Sequence, residues 1–543
     1  MVFARRSTTL LAAIIASCAM VLSLTACTSD NKTVVDGQTT VTSNSAGGVA
    51  VFTPSDGITL NQQTPLNKWA KLVPDLTKAL VDAGFKKGDI NHTTSDSLDK
   101  QSRAIQDFVV DHLSNNTTDD SGIAIAPDNM TLLVAPVVEA DASTRQYGDY
   151  VSQNLSTNDV TDEGATSDGE SSEDDSSKDD SSNTESDSTA SDEQAQAVDR
   201  LVSSLKLAKE SGMHVVLLGN SIEGYKPDAF VKFSDAQTIG KLQAEKMVSK
   251  LKLDKASKDN PKYIEVLLPY TAMDEKGNAN DSTFAQEAFR GIWQVLGSYY
   301  QKGVVESPSG TLDGKSTEND WQAVAYDAAK EGSTAKVLDK RLAKTDGQST
   351  LTRIDGIITM NDYIASEVVK ELDDLGYTGS AADINPQITI SGIVGNITGK
   401  KDLSRDAVPD PIKSPENDNA NDSSSSDDDA DKDTSASDKD RDSQWPLVTG
   451  YGAYVSNIPS IVNGKQWMTG MEDRQTIATD IAQACAKLNK DEALNSMPSI
   501  RNSEVGGVKK IPTINEPLLA VSASNLKSAL IDPGYISLAD AGL

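Results

Sequence analysis

Cysteine is almost missing from this sequence: 543 residues hold only Cys18, Cys27 and Cys485. That excludes a disulfide scaffold and a Cys-built zinc site. Histidine is as scarce, and His92, His112 and His214 are too scattered for a His-rich metal site. No metal or cofactor is expected. Basic residues are outnumbered, 50 Lys and Arg against 81 Asp and Glu, for a net charge of −31. That balance excludes a nucleic-acid partner, because phosphate binding needs clustered cations. Catalytic signatures are missing too: no Gly-x-Ser-x-Gly elbow and no Gly-x-x-x-x-Gly-Lys phosphate loop. The second half holds no His for a Ser-His-Asp set. An enzyme is not expected.

The acidic charge is concentrated. Residues 157–193 hold 14 acidic side chains and one Lys, and residues 416–443 hold 11 acidic and three basic ones. Neither tract has apolar periodicity, so neither buries enough surface to offset its conformational entropy. Both are expected to be disordered insertions. The other reading, calcium binding or adhesion, lacks the EF-hand spacing.

Residues 1–26 have the layout of a secretory signal, with Arg5 and Arg6 ahead of a short apolar run. Leu24-Thr25-Ala26-Cys27 resembles the bacterial lipoprotein processing box. That resemblance implies lipidation at Cys27 and a membrane-anchored, extracytoplasmic chain. Residues 27–48, rich in Thr, Ser, Asn and Gly, are expected to be a flexible tether. Cys485 then has no thiol to pair with and suits an apolar helix position.

At roughly 100–200 residues per domain, the length suggests two or three domains. β-rich runs alternate with helical patterns. In the first series, strands are expected at Gly48–Thr53, Leu132–Val138, His214–Leu218 and Phe230–Phe233. Its helices are expected at Leu66–Ala83, Ser102–Leu113, Gln196–Ser211 and Asp235–Leu251. In the second, strands are expected at Tyr263–Leu268, Gly356–Met360, Gln387–Ser391, Leu447–Gly450 and Gln466–Thr469. Its helices are expected at Phe284–Tyr300, Glu318–Lys344 with a break near Gly332, Tyr363–Leu375 and Arg474–Leu488. Repeated βαβ units imply an α/β fold of two doubly wound parallel-sheet lobes, with ligands at the carboxyl ends of the strands.

Three stretches carry a resemblance to type I periplasmic solute-binding proteins, closest to the xylose and multiple-sugar-binding group. They are Asp228 to Asp235 with Ile239 to Ala244, Gly356 to Leu375 with Asn361-Asp362 at the strand end, and Val508 to Leu543. The resemblance implies an N-terminal lobe over 49–253, a C-terminal lobe over 254–507, and a three-strand hinge. Residues 508–543 would form the hinge return and C-terminal helix. It further implies a monomer that captures a sugar-like ligand and delivers it to an ABC importer permease. The alternative is a degenerate member acting as a surface sensory or interaction lipoprotein.

The ligand-binding positions the resemblance implies are Asp56, Lys68, Trp69, Asn220, Phe284, Asn361, Asp362, Tyr451, Trp467 and Glu472. Such sites pair aromatic faces with groups that bond sugar hydroxyls. Several positions depart from the family pattern. Gly219-Asn220 stands where Asp-Arg is common, Thr283-Phe284 where Asn-Asn is, and Gly450-Tyr451-Gly452 where Gly-Gln-Asp is. Glu472 replaces a frequent Lys. Trp69 also fits a helix core stripe, Asn361 also fits a helix cap, and Asp362 also suits a helix N-terminus. Asp56 and Asp235 equally suit turns or caps. Trp467 is expected to face the pocket, and Trp293 a buried helix stripe.

Overall fold

The computed structural model describes residues 32–35, 38–41, 46–55, 65–115, 125–138, 142–156, 184–273, 280–328, 330–343, 351–381 and 443–543. The segment expected to be a signal, Cys27, Asp56, the strand expected at Gln387–Ser391, and residues 157–183 and 416–442 of the acidic tracts lie outside them. Residues 1–44 and 45–543 form two separate units. In the first, where a tether is expected, Lys32–Val35 and Gln38–Val41 pair as an antiparallel hairpin.

The second unit contains two α/β lobes. Lobe I begins with β1 (Gly48–Pro54), α1 (Trp69–Asp82), β2 (Ile90–Ser95), α2 (Leu98–Asn115) and β3 (Met130–Val134). It continues with α3 (Thr184–Glu210), β4 (His214–Leu218) and β5 (Ala229–Lys232). Lobe II comprises α4 (Ala236–Leu251), β6 (Lys262–Val266), α5 (Thr283–Gln301), β7 (Val305–Glu306) and β8 (Gly356–Ile358). It adds α6 (Asp362–Leu375), β9 (Leu447–Thr449) and β10 (Met468–Met471). The chain then returns to lobe I for α7 (Arg474–Leu488), β11 (Ile500–Val505) and β12 (Val508–Asn515), and ends in lobe II with β13 (Leu519–Ser522).

The lobe I sheet runs β11-β12-β5-β4-β3-β1-β2, and every pairing is parallel except β11 with β12. Lobe II runs β7-β6-β8-β9, all parallel, with β10 and β13 as an antiparallel pair beside it. Both sheets place their second strand outside the first, then step the other way, as doubly wound sheets do.

Both faces of the lobe I sheet are covered, so its strands read as continuous apolar runs. Period-2 alternation divides them between two cores. Val49, Val51, Leu133, Val216 and Leu218 pack with α1 and α7, through Leu72, Leu76, Ile477 and Ile481. Ala50, Phe52, Leu132, Val134 and Leu217 pack with α2 and α3, through Ile105, Val109, Leu201 and Leu205. Lobe II repeats the device. Ile264 and Ile358 face Phe289 and Leu296, while Ile357 and Val448 face Ile364 and Val368.

The lobe boundaries differ from the sequence reading. Helix α4 packs in the lobe II core through Ile239, Ala244 and Met247, so lobe II begins near residue 235. Helix α7 packs in lobe I. The helix expected over Glu318–Lys344 is broken at Gly332, as expected, and Gly332 starts a helix at Ser333–Arg341, but the part before it is only one helical turn at Trp321–Val324 and a short strand at Ala325–Tyr326. Pairing of Ala325–Tyr326 with Leu268–Pro269 takes that stretch out of the helix. Helix α3 starts at Thr184, inside the first acidic tract. Strand β10 starts two residues later than expected, and the C-terminal helix is one turn, Lys527–Ile531.

Candidate functional site

The lobes are joined by three crossings: after β5, after β10, and between β12 and β13. The carboxyl ends of β1 to β4 and the start of α6 border a cleft between the lobes. One chamber of about 840 Å³ is lined by Ser55, Lys68, Trp69, Asp96, Asn220, Tyr363 and Tyr454. A second, of about 540 Å³, is lined by Asp235, Asn280, Asp281, Phe284 and Glu287. Thr144 and Gln153 border both.

Between the chambers runs a segment that sequence reasoning missed, Thr144 to Gln153. Gln146 bonds lobe II twice: its Oε1 accepts from Asn361 Nδ2 at 3.1 Å, and its main-chain oxygen accepts from the Tyr454 hydroxyl at 2.7 Å. Asp149 bonds lobe I, accepting from Lys68 Nζ at 2.8 Å and from the main-chain N–H of Trp69 at 3.1 Å. Tyr147 packs against Phe284, ring centroids 4.7 Å apart, and Tyr150 stacks on Phe233 at 4.9 Å. Both tyrosines are 1% exposed. Gly148 makes this approach possible. Its φ is +95°, and a Cβ there would lie 2.6 Å from the Asn67 carbonyl oxygen. The signal for the segment was available: Tyr147-Gly148-Asp149-Tyr150 sets two rings around a glycine in a chain with only 5% aromatics.

Several implied ligand positions gather around this segment. Lys68 and Trp69 line the larger chamber. Trp69 is also core, edge-on to Tyr150 and Phe233. Asn220 accepts from Gln153 N at 3.0 Å and donates to Pro136 O at 2.9 Å. Asn361 is the cap of α6, with Oδ1 accepting from Ile364 N at 2.9 Å, while its Nδ2 donates to Gln146. Asp235 caps α4 through Thr238 N at 2.7 Å and borders the smaller chamber.

Tyr451 and Glu472 lie beneath the segment at the crossings. The Tyr451 hydroxyl receives Asn67 Nδ2 at 3.0 Å, bonds Ser234 Oγ at 2.5 Å, and donates to Glu472 Oε1 at 3.2 Å. Burial pushes the Glu472 carboxyl up to about 7, only partly offset by these bonds.

Two implied positions face elsewhere. Asp362 is fully buried in lobe II, where it accepts from Tyr454 N at 2.9 Å, Gln466 Nε2 at 2.7 Å and Thr469 Oγ1 at 2.9 Å. Its bonds hold the loop after β9 against β10, and burial raises its pKa to about 6. Trp467, expected to face the pocket, packs in the lobe II core as Trp293 does, because it leads directly into the buried strand β10.

Among the described residues no group of His, Cys, Asp and Glu could hold a metal, and no helix is long and apolar enough to cross a membrane.

Two doubly wound lobes, three crossings and a cleft at the strand ends make the two-lobed α/β architecture that the sequence resemblance implies. No family model and no curated protein matches the chain. Among solved structures, it is similar to an ABC transporter solute-binding protein from Clostridium phytofermentans with bound β-D-glucose. That pair shares 17% identity, covers 91% of this chain and 99% of the other, and has a TM-score of 0.44. A carbohydrate transporter solute-binding protein from Chloroflexus aurantiacus, in complex with D-glucose, is 17% identical over 92% and 98% of the two chains, with a TM-score of 0.43. A sugar ABC transporter from Actinomyces odontolyticus is 10% identical over 89% and 97%, with a TM-score of 0.43.

Proposed function

We propose that this chain is an extracytoplasmic solute-binding protein that captures a sugar-like ligand between its lobes and hands it to an ABC importer. The observation that carries the reading is the cleft at the carboxyl ends of β1 to β4, bordered on the lobe II side by Tyr363 and Tyr454. The chemistry suits polyols: the indole of Trp69 offers a ring, and Lys68, Asn220 and Asn361 offer donors to hydroxyl oxygens. Closure of the lobes would complete the permease-facing surface, so ligand acts by shifting an open–closed equilibrium.

Lipid attachment at Cys27 would hold the protein at the outer face of the membrane. Incorporation of labelled palmitate into the full chain, lost in Cys27→Ala, tests the anchor. Titration calorimetry of the folded chain against a panel of pentoses, hexoses and disaccharides tests the capture. A folded protein that gives no heat with any of them sinks the sugar reading.

One observation favours the second reading, a surface sensory or interaction lipoprotein without transport. Lys68 and Asn361 are already engaged by the chain's own Asp149 and Gln146. Sugar uptake unchanged by loss of the gene, in cells that take up the bound sugar, would decide for it.

A further inference from the structure

The segment from Thr144 to Gln153 offers the cleft much of what a sugar would offer it. Gln146 presents an amide oxygen to Asn361 and a carbonyl to Tyr454, at 3.1 and 2.7 Å. Asp149 takes the Lys68 ammonium at 2.8 Å. The Tyr150 ring sits edge-on against Trp69 with centroids 5.1 Å apart. Both tyrosine rings are buried, one in the core of each lobe: Tyr147 in lobe II and Tyr150 in lobe I. A surface loop would contact one lobe, whereas this segment is bonded to both and runs between two chambers.

We propose that Thr144–Gln153 is a built-in occupant of the interlobe site, which competes with the solute and must withdraw for capture. The inference rests on the solute-binding reading and adds a regulation of that same site. Each chamber alone, at about 840 and 540 Å³, lies within the range of small-molecule sites. With the strap withdrawn they become one. Lys68 and Asn361 pass from internal partners to the ligand, so ligand and strap exclude each other. Observed affinity is then the intrinsic affinity reduced by the fraction of molecules with the strap withdrawn. Gly148 sets that fraction, because its Cβ-free backbone allows contact with Asn67.

The test uses the full chain in three forms: wild type, Gly148→Ala, and the near-isosteric Asp149→Asn. The alanine disturbs the strap's backbone fit, and the asparagine weakens its hold on Lys68 without altering volume. Calorimetry with D-glucose, D-xylose, L-arabinose and maltose reads affinity. Hydrogen exchange reads the strap amides, of which Asp149 N donates to Asn67 O at 2.8 Å and Ser152 N to Ser234 O at 2.9 Å. The expected result is at least tenfold tighter binding by both variants, and loss of amide protection in the wild type once sugar binds. Equal affinity in all three forms, or strap amides still protected with sugar bound, overturns the strap and leaves solute binding standing. No heat from any form overturns solute binding itself, and this inference with it.

Discussion

Glu472 Oε1 accepts the main-chain N–H of Ser234 at 2.6 Å, so the strand leaving lobe II is bonded to the strand entering it. The two residues are neighbours in space although 238 positions apart. The carboxyl is fully buried, and its bonds come from neutral donors, Ser234 N and the Tyr451 hydroxyl. Its charged neighbours along the chain bond elsewhere, Asp473 with Thr476 and Tyr535, Arg474 with Asp75, and, beside Ser234, Asp235 with Lys232.

This arrangement makes stability depend on pH. The folded carboxyl titrates at about 7 against an ordinary 4.5, so folding favours the protonated form. Stability is therefore full below the ordinary value, declines as pH rises between the two, and stays reduced above. Glu472→Gln keeps an acceptor for Ser234 N and removes the ionisation. At about pH 8 the variant should exceed wild type by about 1–3 kcal/mol, and the two should converge near pH 4. Urea unfolding at both pH values measures it. A variant less stable than wild type at high pH would contradict this account.

Asn361 separates its two tasks by substitution. Asn361→Ala removes the cap of α6 and the bond to Gln146, and should cost roughly 1 kcal/mol from the cap alone. Asn361→Ser keeps a neutral capping oxygen and loses the amide donor to Gln146. Thermal unfolding should therefore separate the alanine variant from wild type more than the serine. Hydrogen exchange at residues 144–153 should rise in both.

Asp362 is predicted to matter for folding more than for ligand contact. Removing the carboxylate in Asp362→Ala takes the partner of Tyr454 N and the closest acceptor of Thr469 Oγ1 in the interior, while Gln466 Nε2 keeps Met468 O. Each orphaned donor costs about 1–3 kcal/mol, so a total of roughly 2–6 kcal/mol is expected. The neighbouring backbone is fitted to the same carboxylate. A Cβ on Gly450 would lie 2.2 Å from Asp362 Oδ1, so Gly450→Ala should be comparably damaging. Denaturant midpoints of the two variants check this, and a mild effect in both would return Asp362 to the list of ligand contacts.

Cys485 lies on α7 with no exposed surface, and burial raises its thiol pKa. In a chain cut after residue 27, a disulfide-exchange reagent should find no reactive thiol under native conditions and one in guanidinium. Rapid native labelling would show that α7 opens.

The lobes were legible because their strands are covered on both faces. His214–Leu218 and Arg474–Leu488 can be bounded from apolar pattern alone, since β4 is continuously buried and α7 starts at an Asp cap. The edge strands were not legible. Ile90–Ser95 reads Ile-Asn-His-Thr-Thr-Ser and Ile500–Val505 is largely exposed, so neither carries the apolar run that announces a strand.

The site was half legible for a related reason. Spacing places Lys68, Trp69 and Asn361 at element ends, where a cleft lies. The two rings around Gly148 mark the Tyr-Gly-Asp-Tyr loop in the sequence, but not where it folds. That depends on a close backbone approach between Gly148 and Asn67, which only three dimensions display. Trp467 misled because the expected strand at Gln466–Thr469 included it, whereas β10 begins at Met468 and the ring just ahead of it packs in the lobe II core.

The crossings also govern the order in which the chain can be finished. Strand β5 takes its neighbour β12 through Thr513 and Phe230, yet most of lobe II, all but its last strand β13 and the turn after it, is synthesised between them. Until residues 508–515 emerge, the nascent lobe I sheet has an open edge at β5, able to pair with any other strand. Lobe II waits longer still, for β13. A chain released early would therefore carry two unfinished domains rather than one finished and one missing. Late truncations should consequently aggregate as a whole instead of yielding a stable N-terminal fragment.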